Sequence, residues 1–280
     1  MGSDESDRQL FERARAAWER EDWLEAAEAY EALLAEHPDE DVSPAWWFDA
    51  ALAYKFLRDW PKAYELGKQA AARSPRGEQD PAFWNLGIAA TVLHDWPTAR
   101  DAWDGFGIEI EPSEGEIVTD FGIACVRIKT AEGREVVWVR RICPTRGRVL
   151  NVPFATDRRL GEIVLHDGAP NGERMIGERR HPVFDEIMLW RPSDIPTMAA
   201  TVDTATPQDL VDLEEVFVDR GYGVERVDSA QLLCKCCSEG SVETRHLELG
   251  PGSRRVLLGV PEDQVRVLLE LWVSGNPDTR

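Results

Sequence analysis

Apolar residues recur with helical spacing in the first third of the chain, in three units of similar pattern. A large apolar residue stands sixteen positions before the central alanine of each unit: Leu10, Trp47 and Phe83. A small residue follows four positions later, where two helices have to approach closely: Ala14, Ala51 and Gly87. Apolar positions separated by three or four residues predict amphipathic helices that bury one face.

An Asp-Trp pair marks the same point of each unit and sets the length of the repeat. The pairs are Asp22-Trp23, Asp59-Trp60 and Asp95-Trp96, at intervals of 37 and 36 residues, and an alanine follows three residues after each tryptophan. A constant period of this length is typical of stacked helical hairpins. Residues 7–107 resemble the tetratricopeptide repeat in all three units, and the resemblance implies a three-repeat α-solenoid.

The resemblance also implies a concave surface lined by the first helix of each hairpin, which we call the groove. Its nine residues are Phe11, Arg15, Trp18, Phe48, Leu52, Lys55, Phe56, Trp84 and Ile88. The basic, asparagine-rich groove with which some family members hold a carboxylate is not matched, since Arg15 and Lys55 are the only bases. An apolar peptide or helix from another protein fits the composition better. Alternatively, the chain's own second half fills the groove, or some of the nine belong to the core.

The second half reads as β-rich at first. Residues 117–192 contain five candidate strands, at 121–130, 135–142, 148–152, 162–166 and 183–189, with Gly168, Asn171-Gly172 and Gly177 as breaks. Several short strands separated by turn residues predict a small barrel or rolled sheet.

A further α/β segment is predicted at residues 197–276. Its pattern gives a strand at 198–203, a helix that begins after Thr206-Pro207, strands at 222–227, 242–249 and 254–260, and a last helix from Pro261. This order favours a two-layer, ferredoxin-like α/β sandwich. The predicted fold class is therefore α+β, with three domains at 7–107, 117–192 and 197–276.

Charge restricts the kind of partner. The net charge is −20; 23 acids and 11 bases up to residue 110 give −12, and 29 acids and 21 bases beyond it give −8. Such a chain repels nucleic-acid phosphates and favours a basic protein partner, although the charge also simply keeps a protein soluble. One stretch is locally basic, and it contains a possible anion patch: Arg140, Arg141, Arg146 and Arg148.

The sequence shows no sign of membrane association. The first seven residues lack the basic and apolar regions of a signal peptide, and no apolar run has the length of a membrane span. We therefore expect a cytoplasmic protein that has no membrane partner.

A cysteine cluster is the sharpest chemical feature. Cys234 and Cys237 have the two-residue separation with which two thiolates reach one metal ion, and Cys236 and His246 could complete a zinc site. Three reduced thiols at a strand end, or a redox-sensing site, are the alternatives. His166-Asp167 follows a strand but no activated nucleophile accompanies it, so no catalytic residue is predicted.

These features favour a protein–protein interaction module, an adaptor or regulatory protein rather than an enzyme. A specific version is a bacterial protein of the immunity type that neutralises a basic partner by charge. The alternative is a zinc-binding or redox-sensing protein, or an enzyme, that uses the cysteine cluster and recruits through its repeats. No cofactor is expected under the first hypothesis, and zinc is expected under the second.

Overall fold

The computed structural model describes residues 2–176, 179–227 and 251–275. The chain divides into two compact units, Met1–Ile117 and Val118–Arg280. The first unit contains the predicted repeats. The second contains both the predicted β-rich segment and the predicted α/β segment, so the boundary between those two domains stays a prediction.

Six helices make up the first unit, in three antiparallel hairpins. Their bounds are α1 (Gly2–Glu19), α2 (Trp23–Glu36), α3 (Ser43–Leu57), α4 (Trp60–Ala72), α5 (Pro81–Val92) and α6 (Trp96–Phe106). Each helix packs on the next along the chain, and α3 also contacts α5 directly. The predicted three-repeat helical solenoid is therefore observed, and these hairpins resemble tetratricopeptide repeats.

The corner of every hairpin has the same backbone and the same cap. A residue with left-handed φ precedes each aspartate: Glu21 (58°), Arg58 (61°) and His94 (59°). The side chain of each aspartate then accepts the N–H three residues ahead, at 3.3 Å for Asp22 and 3.2 Å for both Asp59 and Asp95. The left-handed residue stops the first helix, and the aspartate caps an otherwise unsatisfied N–H of the second.

Small residues let the hairpins close tightly. The core of the first two hairpins is rich in fully buried alanines, among them Ala14, Ala27, Ala50 and Ala53. In the third hairpin Gly87 occupies the position of Ala14, and Gly105 adds a second close approach. A Cβ on Gly87 would lie 2.6 Å from the ring of Trp103, and one on Gly105 would overlap the ring of Phe83. Gly105 lies inside α6, where only a glycine admits this ring, and Gly107 ends the helix with a φ of 101°.

Five strands of the second unit form a closed barrel. Their bounds are β1 (Ile123–Thr130), β2 (Gly133–Cys143), β3 (Arg146–Val149), β4 (Ile163–Ile176) and β5 (Arg179–Arg191). Neighbouring strands are antiparallel, and β5 closes the barrel by pairing parallel to β1. Aliphatic side chains and Phe184 fill the interior: Ala124, Val126, Ile128, Val137, Val139, Val149 and Val164.

The fourth and fifth strands are longer than the pattern predicts. The glycines at 168 and 172 were expected to separate strands, yet β4 runs through both of them. The pairing with β5 shifts register between Leu165 and His166, between His166 and Pro170, and between Pro170 and Glu173. These bulges absorb the glycines and the proline, so the strand bends without ending.

A buried network of ion pairs connects the loop before β4 to the barrel. The Arg158 side chain donates from Nε to Glu162 at 2.8 Å and from Nη2 to Glu186 at 2.8 Å. It also donates from Nη1 to the Lys129 carbonyl at 2.6 Å. All three charged side chains are nearly inaccessible, and burial raises the pKa of Glu162 against the opposing effect of Arg158.

The remaining described residues form an α/β layer. It consists of β6 (Thr197–Thr204), α7 (Pro207–Val218), β7 (Gly223–Arg226), β8 (Gly252–Gly259) and α8 (Glu262–Gly275). The sheet is antiparallel with the order β6-β8-β7. A capping box between Thr206 and Asp209 starts α7 where the sequence predicted it. The predicted strand at 242–249 lies outside the described residues, so the complete ferredoxin-like arrangement stays a prediction.

Two glycines bring this sheet against the barrel segment. Gly223 and Gly259 are paired across β7 and β8. A Cβ at either position would meet Val152 and Leu160, at 3.1 Å and 2.9 Å from the Val152 Cγ2 atom. Trp272 of α8 is buried between the two helices of this layer. Its indole N–H donates to the backbone carbonyl of Asp209 in α7 at 2.7 Å.

None of the helices within the described ranges is both long enough and apolar enough to cross a bilayer.

Substitution of alanine for glycine should have opposite effects on stability at two positions of the first unit. Gly105→Ala should destabilise the unit by about 1–3 kcal/mol, because the methyl group overlaps the buried Phe83 ring. Gly67→Ala is the matched control: its Cβ would meet Leu86 at an ordinary 3.6 Å, and alanine should stabilise α4 by up to about 1 kcal/mol. Urea unfolding followed by circular dichroism measures both. Equal changes in stability for the two variants would contradict the close contact between Gly105 and Phe83 in the third hairpin.

Candidate interaction surface

The nine groove residues lie along successive turns of the three first helices. Phe11, Arg15 and Trp18 belong to α1; Phe48, Leu52, Lys55 and Phe56 belong to α3; Trp84 and Ile88 belong to α5. Phe11 and Phe56 are 37 % and 42 % exposed. Arg15 is also exposed, and Trp18, Phe48, Leu52 and Trp84 are half-buried.

Two of the nine are not available at the surface. Ile88 is fully buried, and Lys55 is 8 % exposed. The Lys55 ammonium donates to the Asn85 side-chain oxygen at 2.9 Å, which takes its charge away from solvent. Ile88 is therefore removed from the predicted accessible groove, because the helix face that carries it is packed rather than open.

The exposed aromatics are part of ring clusters. Phe56 lies 4.6 Å from the ring of Trp23 and 6.2 Å from that of Trp18, and the two indoles meet edge to face at 5.1 Å. Phe11 contacts Trp46 at 6.2 Å. Such contacts hold the rings in fixed positions, so that a bound segment would meet a preorganised apolar surface at low entropic cost.

Sequence reasoning missed two polar residues next to the groove residues. Asn85 follows Trp84 on α5 and receives Lys55, while Asp49 follows Phe48 on α3 and accepts from the Tyr30 hydroxyl. Both side chains are half-buried. Burial raises the pKa of Asp49, against the opposing effect of the Tyr30 hydrogen bond. The sequence feature that could have pointed to Asp49 and Asn85 is that each directly follows an aromatic groove residue.

The predicted anion patch is dispersed by the barrel. Arg140 and Arg148 pair across β2 and β3 and are exposed, and Arg140 also forms an ion pair with Asp120 at 2.7 Å. Arg141 is half-buried and donates to the Pro144 carbonyl at 2.8 Å. Arg146 is fully buried, with its guanidinium 5.1 Å from the Trp190 ring centre. Arg146 is thus corrected from a patch residue to a buried residue, because its side chain is covered by neighbours that include Trp190 and Cys143, to whose Sγ atom its Nε donates at 3.2 Å.

His166 is a core residue rather than a base. Its ring is fully buried and stacks on Phe184 at 4.8 Å. Its Nδ1 atom contacts the Asp167 backbone carbonyl at 2.7 Å, so the Asp167 carboxylate is not the group that orients the ring. Burial lowers the pKa of His166 to about 4, and the nearby charge of Arg141 adds to this effect.

The predicted metal site cannot be placed on this framework. Cys234, Cys236, Cys237 and His246 all lie outside the described residues. Cys125 and Cys143 are buried and reduced. Among the residues that the structure does describe, no group of three or more histidine, cysteine, aspartate or glutamate side chains could hold a metal ion. The zinc site stays a prediction.

Comparisons with known proteins found similarity to part of this chain among solved structures. Neither a family model nor a curated protein matches the chain. Among solved structures, the crystal structure of the Sgt2 TPR domain from Aspergillus fumigatus is similar at 24 % identity and a TM-score of 0.30, over 36 % of this chain and 64 % of that one. The TPR2B domain of yeast Sti1, solved in a complex with pHsp70, is similar at 17 % identity and a TM-score of 0.30, over 36 % of this chain and 76 % of that one.

This chain therefore spans less than two thirds of the Sgt2 domain's length, and the second half of the chain is not matched. The resemblance of the first unit to tetratricopeptide repeats rests on its own helix bounds, its 37- and 36-residue periods and its repeated corner.

The buried histidine predicts a specific loss of stability in acid. Because its pKa lies below the ordinary value of about 6.5, the neutral ring's contribution is complete above that pH and is lost as pH falls toward 4, by about 3 kcal/mol. Chemical unfolding of the wild type and of His166→Gln across pH 4–7.5 measures the difference. The variant should lose less stability over this range; two parallel curves would show that His166 does not titrate as a buried base.

Proposed function

We propose that this chain is a protein-interaction module that binds a segment of another protein in its groove. The exposed aromatic side chains Phe11 and Phe56 carry the proposal. Their rings are held by neighbouring tryptophans instead of being folded into the core. Apolar surface fixed in this way costs free energy in water and gains it when a partner covers the rings.

The charge of the first unit supports a basic partner. The −12 balance up to residue 110 attracts a positively charged chain and speeds its encounter. Three bases of the unit already have partners within it: Lys55 donates to Asn85, Arg13 to Glu25 and Lys62 to Glu31. The function proposed is therefore that of a cytoplasmic adaptor or regulatory protein, in its most specific form an immunity-type protein that neutralises a basic partner.

A photo-crosslinking experiment tests this function on the full chain. A benzoylphenylalanine replaces Leu52, which is half-buried in the groove, and in a separate control it replaces Ala35, which is exposed on α2. We expect Leu52 to yield one covalent adduct with a defined partner peptide and Ala35 to yield none. Combining the Leu52 probe with Phe11→Ala and Phe56→Ala should remove the adduct.

Mass spectrometry identifies the molecule that is crosslinked in the adduct. A crosslink from Leu52 to another protein supports the proposal when the two alanine substitutions abolish it and when it weakens as salt rises. A crosslink from Leu52 to the chain's own second unit would contradict the proposal, because the groove would then be occupied internally. Equal crosslinking from both positions would also contradict it.

A further inference from the structure

Asp49 differs from the other carboxylates of the first unit in its surroundings. Most of the others cap a helix or meet a cation: Glu25 pairs with Arg13 and Arg20, Glu31 with Lys62, and Asp101 and Asp104 with Arg76. The Asp49 carboxylate instead accepts from the uncharged Tyr30 hydroxyl, in a half-buried position on α3. Its charge is thus partly removed from water, and no cation within residues 2–176, 179–227 and 251–275 forms an ion pair with it.

The position of Asp49 on α3 places it beside the groove. It lies one residue after Phe48, three before Leu52 and seven before Phe56, so it shares a helix stripe with two groove residues. Tyr30 lies beneath it on α2 and is buried. The groove cation Arg15 of α1 has a side chain that is 64 % exposed and lies 3.9 Å from Glu19.

We propose that Asp49 receives a lysine or arginine side chain of the segment that occupies the groove. This inference rests on the proposed function and specifies the chemistry of the partner: one basic residue at a fixed distance from apolar residues that contact Phe48, Leu52 and Phe56. The occupant is thus a basic, amphipathic segment of another protein. The −12 balance up to residue 110 favours such a segment over an acidic or purely apolar one.

The energetics favour this arrangement over a merely structural role for Asp49. A half-buried carboxylate that lacks a cation has already lost part of its hydration, so a partner cation recovers a charge-assisted hydrogen bond at reduced desolvation cost. Replacement by asparagine keeps the shape and a hydrogen bond to Tyr30 but removes the charge. If Asp49 served the fold, this change would weaken the fold; if it serves a partner, the fold should be unchanged or more stable.

A peptide-display experiment tests the inference. A random library of 12-residue peptides is selected against the full chain, against Asp49→Asn, and against Glu78→Gln. Glu78 is an exposed acid in the loop between α4 and α5, and it supplies the same change of net charge. We expect the wild type and Glu78→Gln to enrich peptides with lysine or arginine at one fixed position relative to apolar residues.

Asp49→Asn should keep the apolar preference and lose the basic one, and the best wild-type peptide should bind it about tenfold more weakly. Its melting temperature should not fall. Enrichment of apolar peptides without a fixed basic position, or an unchanged preference in Asp49→Asn, would overturn the role of Asp49 alone. Failure to enrich any peptide, or enrichment that survives Phe11→Ala/Phe56→Ala, would overturn the groove function itself.

Discussion

A left-handed residue followed by an aspartate sets the geometry of every hairpin in the first unit. Glu21, Arg58 and His94 adopt φ values within a few degrees of one another, and the aspartate after each accepts an N–H of the following helix. A left-handed conformation costs a residue with a side chain about 1 kcal/mol, and an aspartate cap returns about as much. Because the three corners are alike, the three hairpins turn in the same way.

This common turn produces the groove. Hairpins with equal turns stack in register, so the first helices follow one another and α3 contacts α5 directly. Residues four and seven apart on these helices then form continuous rows, such as Phe11, Arg15 and Trp18 on α1. The interlock of Gly105 with Phe83 closes the third hairpin and holds α5 in place. The placement of the proposed groove residues therefore depends on the corner residues, although none of the latter belongs to the groove.

The second unit is organised by a different constraint, the covering of charged residues by a small closed barrel. Arg158 is satisfied by two glutamates and a carbonyl, and Arg127 by Asp185 at 2.7 Å and the Asn171 carbonyl at 2.9 Å. A buried charge with its partners removed is strongly destabilising, whereas a complete network specifies one arrangement of strands. These ionic contacts join β1, β4 and β5, where β1 and β5 pair to close the barrel.

The sequence predicts those parts of the fold that local pattern determines. The three Asp-Trp pairs give the hairpins, and Thr206-Pro207 gives the start of α7, because capping chemistry acts over a few residues. Arg146 shows the limit: a basic residue between polar neighbours reads as exposed, and its burial depends on a residue far away in the chain, Trp190 of β5. The continuation of β4 through Gly168 and Gly172 likewise depends on pairing with β5.

The same distinction applies to the interaction surface. Helical spacing and the family resemblance place Phe11 and Phe56 correctly on the first helices, but they place Ile88 beside them although it is packed. Asp49 and Asn85 were missed because their significance lies in what they touch across helices, Tyr30 and Lys55. Composition shows that the first unit is acidic, whereas only the structure shows that Asp49 is a half-buried carboxylate of that unit.

Hydrogen–deuterium exchange of the full chain, alone and with its crosslinked partner, tests the central claim most directly. If the three first helices form the binding surface, protection should increase in α1, α3 and α5 while the exchange of the barrel strands and of α8 stays unchanged. Protection that appears in β4, β5 or α8 and leaves α1, α3 and α5 unaffected would contradict the account, because the partner would then bind the second unit.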